Sequence, residues 1–404
     1  KKNRRQPFFF YFPYNTPHSP MQVPDRFWGK FQEKELHQIG SNGPPKNQNQ
    51  IDHTRAALAM CENIDWNVGR IINQLKNSGV LENTIVIYLS DNGPNGNRWN
   101  GLMKGRKGST DEGGVRSPMI INWPGKIPQG KIVKEIASGI DLLPTLKDLT
   151  GITSQAKKPL DGISLEPLIM QENPIWEDRY IYNYWKGKLS LRNQHYRLDH
   201  QGQLFNMVND PNQTKDIGEK KPQVLTALNK AKEQWEQEVF VELPKKDNRP
   251  FYIGHPSLHT TQVPARDGIP SGEIKRSNRY PNCTYFTHWI NPEDTITWEA
   301  EVAQDGDFEI TVYYSCAEDA IGSLFEVSFG DASIQGEIKE VHNPNEYGAA
   351  EDRVLRQESY VKDFKPLKIG TLKLEKGKGT LKIKGIEKKG RALMDFRLML
   401  LKLI

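Results

Sequence analysis

The 404-residue sequence predicts an α/β domain, then a small antiparallel sheet-plus-helix subdomain, then an all-β sandwich-like domain. Three observations carry that prediction. Unbroken apolar runs, "PFFFYF" at 7–12 and "TIVIYL" at 84–89, flank a stretch with helical spacing, and that alternation is the grammar of α/β folds. From about 178 to 210, "RYIYNYW", "LSLRNQHYRL" and "QGQLFNM" read as short antiparallel strands, and the amphipathic "KPQVLTALNKAKEQWEQEVF" follows them. Beyond about residue 250, period-two alternation with glycine turns takes over.

Taken in order, "PFFFYF" predicts a strand buried on both faces, as in a parallel sheet, and the prolines at 13, 17 and 20 forbid a helix after it. Ala57, Cys61, Ile64, Val68, Ile71, Ile72 and Leu75 recur at three- and four-residue spacing. They predict a helix over 51–77, with Gly79 as its stop and Cys61 as a buried thiol. "TIVIYLSDNG" predicts a second buried strand and "SPMIINWPGKI" a third. "DLLPTLKDLTGI" opens a helix with Pro144 in its first turn. In parallel sheets ligands lie beyond the carboxyl ends of the strands, where Asp91, Asn92 and the loop carrying His18 fall. The expected domains are 1–165, 166–243 and 250–404, with the polar, proline-bearing stretch 242–250 as linker.

Composition bounds the function. The chain is 36% hydrophobic and 26% charged, and its net charge of +5 is small and dispersed, which argues against a nucleic-acid partner. No apolar run is long enough to span a bilayer. Cys61, Cys283 and Cys316 show no CxxC spacing, so no zinc site is expected, and Cys283 and Cys316 are open to pairing in an exported chain. The opening "KKNRRQPFFFYF" has no initiating Met and no leader. The expectation is a piece of a longer protein whose N-terminal part is missing, leaving sheet edges and apolar faces uncovered.

The chemistry concentrates in "YLSDNGPNGNRWNGLMKGRKGSTDEGGVRSP" (88–118). Asp91 and Asn92 offer a carboxylate and an amide oxygen side by side, the donors that hard cations take, though Asp-Asn-Gly also suits a plain strand-to-turn junction. Lys104, Arg106 and Lys107 stand among glycines that let a backbone approach an anion; the alternative is a solvated basic loop. No GxxxxGK[ST] phosphate loop is present. His18, in a proline-rich loop, suits proton donation or anion contact, or is merely exposed. Glu112 and Arg116 read as a structural ion pair about a Gly-Gly turn.

"FFFYFPYNTPHSP", "TIVIYLSDNGP" and "GRKGSTDEGGVRSPMIINWPGKI", in this order, resemble the type I sulfatases of the alkaline-phosphatase-like superfamily over roughly residues 7 to 240. Bacterial arylsulfatase-like enzymes of sulfated glycans are the most similar in pattern. The resemblance implies a sulfuric ester hydrolase. Asp91 and Asn92 match the pair that binds a divalent cation, Ca²⁺. Lys107 matches the lysine that contacts the sulfate, and His18 the histidine beside the leaving oxygen. Charge on the sulfuryl oxygens and on the departing oxygen must be neutralised, which explains these residue types. Asn95, Asn97, Arg98 and Trp99 follow the metal pair and are candidates to line a sugar pocket, with Asn15 a further one. Trp99 either stacks on a pyranose ring or packs under its loop, and Arg98 would hold a second acidic group.

The family's nucleophile is a formylglycine made from Cys or Ser in Cys/Ser-x-Pro/Ala-x-Arg. Here the cysteines read "CENID", "CTYFT" and "CAEDA", and none fits. The family's N-terminal aspartate pair and its lysine/histidine pair also have no counterpart. The expectation is half an active site: inactive on its own, with a weak metal site, and completed by sequence upstream. The resemblance further implies a formylglycine-generating maturation enzyme as partner, a sulfated carbohydrate as substrate, and a periplasmic or secreted location. Two rivals stay open: a phosphoesterase or phosphonate hydrolase of the same superfamily, and a non-catalytic glycan-binding protein. The C-terminal domain is similar to the all-β extensions of some bacterial sulfatases and is a candidate carbohydrate-binding module. The lysines of "LKIGTLKLEKGKGTLKIKG" alternate with apolar residues as one solvated face, or as a surface for a sulfated polymer.

Overall fold

The computed structural model describes residues 6–153, 157–244 and 247–404. It divides into two compact units. The first runs up to His18 and again over Val23–Pro244; the second comprises Ser19–Gln22 and the chain after 246. Residues 245 and 246 of the expected linker lie outside the described residues. No helix among the described residues is long and apolar enough to cross a membrane.

The first unit is mixed α/β, as its sequence pattern implies. Helix α1 (Asp25–Trp28) packs on the long α2 (Gln48–Asn77), with Phe27 edge-on to Trp66 at 6.1 Å. Asn47 caps α2 by accepting from the Gln50 amide, and Ser78 and Gly79 end it, Gly79 at a φ of 70°. The residues α2 buries are Ala56, Ala57, Ala59, Met60 and Ile64. Cys61 is exposed, against the expectation of a buried thiol. Its position is one step past Met60 on the helix, enough to turn it off the buried stripe.

Strand β1 (Val86–Leu89) pairs with β2 (Met119–Asn122), Val86 opposite Asn122 and Leu89 opposite Met119. The pairing is antiparallel and the strands are half-buried to exposed, so the expected buried parallel strands are not found here. The stretch "PFFFYF" also departs from expectation. It forms no strand, and Phe8, Phe9, Phe10, Tyr11 and Phe12 are 48–83% exposed. Its backbone is nonetheless extended enough to bring the rings of Phe10 and Phe12 within 4.1 Å. An apolar run becomes a strand only where a neighbour takes its N–H and C=O groups, and among the described residues none does.

Short helices α3 (Glu112–Val115), α4 (Leu142–Thr150) and α5 (Glu166–Met170) follow; Leu165, Leu168 and Ile169 form a small core with Ile121 and Leu149. Then comes the four-stranded antiparallel sheet β3 (Ile181–Trp185), β4 (Lys188–Arg192), β5 (Tyr196–Leu198) and β6 (Leu204–Asn206). Helix α6 (Pro222–Val239) closes it, burying Leu228 against Leu191, Leu198 and Leu204. Trp235 stacks on Tyr182 at 5.2 Å.

The second unit is a β-sandwich, as the alternation beyond 250 implies. Its short strands are β7 (Phe251–Ile253), β8 (Thr260–Pro264), β9 (Ile269–Pro270), β10 (Lys275–Arg276) and β11 (Phe286–Thr287). The long ones are β12 (Thr295–Val302), β13 (Gly306–Ser315), β14 (Leu324–Phe329), β15 (Ala332–Glu337), β16 (Lys365–Leu374), β17 (Gly377–Glu387) and β18 (Asp395–Leu403). One sheet runs β10-β11-β18-β13-β16 with β8 on β18; the other runs β15-β14-β17-β12-β7 with β9 on β12. Both inner faces meet in one core that includes Trp298, Phe308, Phe325, Leu381 and Phe396. All three cysteines are free thiols, so Cys283 and Cys316 do not pair.

Candidate active site

Two backbone segments far apart in sequence are pressed together at the end of β1. The Ser90 amide donates to the Pro118 carbonyl at 3.3 Å, and the Ser117 hydroxyl donates to the Ser90 carbonyl at 2.5 Å. The Gly93 amide then donates to the Gly114 carbonyl at 2.9 Å. A Cβ on Gly93 would stand 1.9 Å from the Gly113 carbonyl oxygen, and one on Gly114 2.3 Å from that of Ser109. Glycine is therefore required by close approach, and this is why Asp-Asn-Gly is answered by Glu-Gly-Gly. The Lys107 amide donates to the Pro94 carbonyl at 2.9 Å, which ties the basic loop to the turn carrying Asp91 and Asn92.

The loop's four cations have different fates. Lys104 pairs with buried Asp199 at 3.0 Å, reaches Asp111 at 3.7 Å and lies over the Phe205 ring. Arg106 donates to the Asn97 side chain at 3.2 Å, and Asn97, itself 8% exposed, donates to the Pro44 carbonyl. Arg98 donates to the His53 carbonyl at 3.3 Å; burial pulls its guanidinium below the usual arginine value, with Cys61 opposing. Lys107 is exposed, and its ammonium has no hydrogen-bond or ion-pair partner among the described residues.

Beneath the glycine contact lies a buried charge cluster. Glu112, 1% exposed, accepts from Arg192 at 2.6 Å and from Arg197 at 2.8 Å, and Arg197 is equally buried. Burial pushes the Glu112 carboxyl up, but Arg197 and Arg192 more than offset this and hold it below its ordinary value. Arg197 also donates to the Thr110 carbonyl at 2.7 Å, and the Gln213 side chain accepts from the Glu112 amide at 2.9 Å. The expected Glu112–Arg116 pair exists at 3.5 Å, but Arg116 is the most distant and most exposed of the three arginines. No local pattern points to Arg192, Arg197 or Gln213, which stand 80 or more residues away in "RNQHYR" and "NQT".

His18 is exposed, and its amide donates to the Asn15 carbonyl at 2.9 Å. Tyr14, four residues earlier, has its ring 6.4 Å from that of Phe12. Burial first, then Cys61 and Tyr14, raise the Tyr88 phenol above its ordinary value. Trp99 is 52% exposed and does not pack under its loop. Asn95 is exposed as well. Among the described residues no three His, Cys, Asp or Glu gather to hold a metal. The Asp91 carboxylate and the Asn92 amide do fit a hard cation. Both are oxygen donors, and neither side chain is engaged elsewhere among the described residues.

A family model described as Sulfatase matches residues 1–152, and one described as N-sulphoglucosamine sulphohydrolase, C-terminal, matches residues 107–241. A sulfatase of Formosa agariphila is 29% identical over 245 residues, 52% of this chain and 42% of its own length. The N-acetylgalactosamine-6-sulfatase of Rattus norvegicus is 32% identical over 190 residues, 46% of this chain and 32% of its own. A crystal structure of Ps i-CgsB is 30% identical, covering 57% of this chain and 50% of that one at a TM-score of 0.49. The matched stretches span between 22% and 42% of the length of these and other curated relatives.

Proposed function

Over residues 1–241 the chain belongs to the sulfatase family, and on that premise we propose that the protein hydrolyses sulfate esters on a glycan, with Lys107 gripping the sulfate. The observation that carries this reading is the fate of the four cations. Three are committed to contacts with Asp199, Asn97 and the His53 carbonyl, while the Lys107 side chain is open among the described residues and its backbone is fixed to the Asp91–Asn92 turn.

In this mechanism the Lys107 ammonium neutralises a sulfuryl oxygen as charge builds on it. His18 gives a proton to the ester oxygen as the S–O bond breaks, so the alcohol leaves neutral while the sulfuryl group passes to a nucleophile from outside these residues. Asp91 and Asn92 would hold Ca²⁺, which when bound supplies further positive charge beside the sulfuryl group. Two oxygens are few for an ion that takes about six to eight, so this pair is part of a larger donor set. No Cys/Ser-x-Pro/Ala-x-Arg stands in these 404 residues. The formylglycine, and with it the maturation enzyme, belongs to this reading as a contribution from outside them, and residues 1–404 alone would be inactive.

The glycan preference rests on exposed Trp99 beside the loop, a ring suited to stack on a sugar face. The N-acetylgalactosamine-6-sulfatase relative is named for a sulfated sugar. A polymeric sulfated substrate would be met outside the cytoplasm, which favours export. The test is release of sulfate from an aryl sulfate and from sulfated oligosaccharides by the intact protein, beside phosphate release from a phosphate monoester. Phosphate release without sulfate release would transfer the site to the phosphoesterases. Neither would leave glycan binding as the function. Calcium titration of the Asp91→Ala variant, by calorimetry, checks the metal role without turnover.

A further inference from the structure

The two faces of the sheet β3–β6 have different tasks. Tyr182, Leu191 and Leu198 pack toward α6, where Tyr182 stacks on Trp235 and Tyr184 lies 5.0 Å from Phe240. Side chains alternate along a strand, so the opposite face of β4 carries Lys188, Ser190 and Arg192. That face holds the basic loop. Ser190 donates to the Thr110 carbonyl at 2.6 Å, and Arg192 to Glu112 at 2.6 Å. Leu191 pairs with Leu198, so one step on Asp199 stands across from Ser190, and it receives Lys104 at 3.0 Å.

Both limbs of the loop are thus fastened to the middle row of this face, Lys104 by Asp199 and Thr110 by Ser190. The turn between them, closed by the Ser109 amide on the Arg106 carbonyl at 2.9 Å, carries Lys107. The chain after Thr110 runs over the row of Arg192 and Arg197, where Glu112 is held. The turn before it therefore lies on the side of the remaining row, one rung or about 7 Å along the sheet. That row is Trp185 paired with Lys188.

Neither residue of that row is spent on the fold. Trp185 is 52% exposed, although Tyr182 and Tyr184 of the same strand are packed. Lys188 is exposed, and its ammonium has no hydrogen-bond or ion-pair partner among the described residues. The two are joined by a two-residue turn, Lys186 at a φ of 46° and Gly187 at 82°. Asn or Gly suits the first of these places better than a lysine. Lys186 there sets a further ammonium 5.6 Å from the centre of the Trp185 ring.

We propose that Trp185 and Lys188 form a second sugar subsite beside Lys107, for a neighbouring ring of the substrate that carries its own acidic group. The indole gives a flat apolar surface for the C–H face of a sugar, and the lysine a point charge for a sulfate or carboxylate. The proposal rests on the reading of Lys107 as the sulfate contact and deepens it. The substrate is then an oligosaccharide with at least two acidic groups, rather than a single sulfated ring.

Calorimetric titration of the full chain tests this with inorganic sulfate, a chondroitin 6-sulfate tetrasaccharide and an iota-carrageenan tetrasaccharide. Trp185→Ala should bind the tetrasaccharides about tenfold more weakly, and Lys188→Ala about threefold or more. Inorganic sulfate should stay within about twofold of wild type in both. Trp185→Tyr keeps a ring and should stay within about threefold on every probe. Lys230→Ala, at an exposed lysine of α6, controls for general loss of charge and should bind as wild type does. The tetrasaccharide that loses more in Lys188→Ala identifies the acidic group as carboxylate or sulfate. Tetrasaccharide affinity unchanged in Trp185→Ala would overturn the proposal, as would an equal loss on inorganic sulfate. So would a loss in Lys230→Ala equal to that in Lys188→Ala, or a wild type that binds neither tetrasaccharide. Inorganic sulfate bound equally by wild type and Lys107→Ala would instead sink the role of Lys107, and the Trp185 variants would still decide the sugar subsite.

Discussion

Lys107 and Glu112 stand five residues apart and answer to opposite demands. Lys107 has nothing to lose structurally. Lys107→Ala should leave stability within about 0.5 kcal/mol of wild type while weakening sulfate binding by about ten- to a hundredfold, the worth of one charge-assisted hydrogen bond. Calorimetric titration with sulfate, beside a melting curve, checks both halves. Glu112 has everything to lose, because Arg197 beside it is buried and has no other carboxylate at contact distance among the described residues. Glu112→Gln should cost about 3–5 kcal/mol in denaturant unfolding, the penalty for an uncompensated buried charge. The sign with pH follows from the direction of its shift. The folded-state pKa is depressed, so the stabilisation is complete above the ordinary value of 4.5 and fades as pH falls through the lower folded value. Acid titration of stability should therefore flatten in Glu112→Gln, and an unchanged acid limb would refute this account.

Among the elements, the readable ones were those whose partners are close in sequence. β12 alternates half-buried and buried positions along "TITWEAEV", and its neighbours on the sheet share the same period, so the sandwich was visible as a pattern. The sheet β3–β6 is a run of adjacent hairpins, and α6 completes it through Leu228. Leu228→Ala should cost about 2–5 kcal/mol by the cavity it leaves, measured by chemical unfolding. The failures share a cause as well. "PFFFYF" and "TIVIYL" show apolar content, but the layer that would bury such a run and the strand that would pair with it are not encoded in the run. Cys61 was misplaced by one helical position, within the tolerance of any spacing argument. At the site, the residue types of Asp91, Asn92 and Lys107 were legible, whereas the assignment of Arg106 to Asn97, Arg98 to the His53 carbonyl and Lys104 to Asp199 required the fold. Gly113→Ala tests the glycine contact directly. Its Cβ would meet the Asn100 amide and the Met103 carbonyl, both at 2.6 Å, so the variant should lose sulfate and calcium binding together.

At the scale of the whole molecule, order is graded. β13 lies between β16 and β18, with backbone partners on both sides, and its inward residues Phe308, Ile310 and Val312 are fully buried. Amide exchange there should need global opening of its unit and be the slowest in the chain, while residues 7–15, exposed and outside any strand ladder among the described residues, should exchange fastest. Protection of 7–15 comparable to β13 would contradict the described backbone.

The bridge that seats Gln22 in the second unit, from its side-chain amide to the Asp352 carboxylate, also imposes an order of events at the ribosome. Its two halves are separated by 330 residues, and at about 5–20 residues per second the second half emerges roughly 15–70 s after the first. Throughout that interval the segment after His18 has no seat, although α2 and the turn at Asp91 have long been made. The Gln22 amide is therefore made well before the carboxylate that receives it.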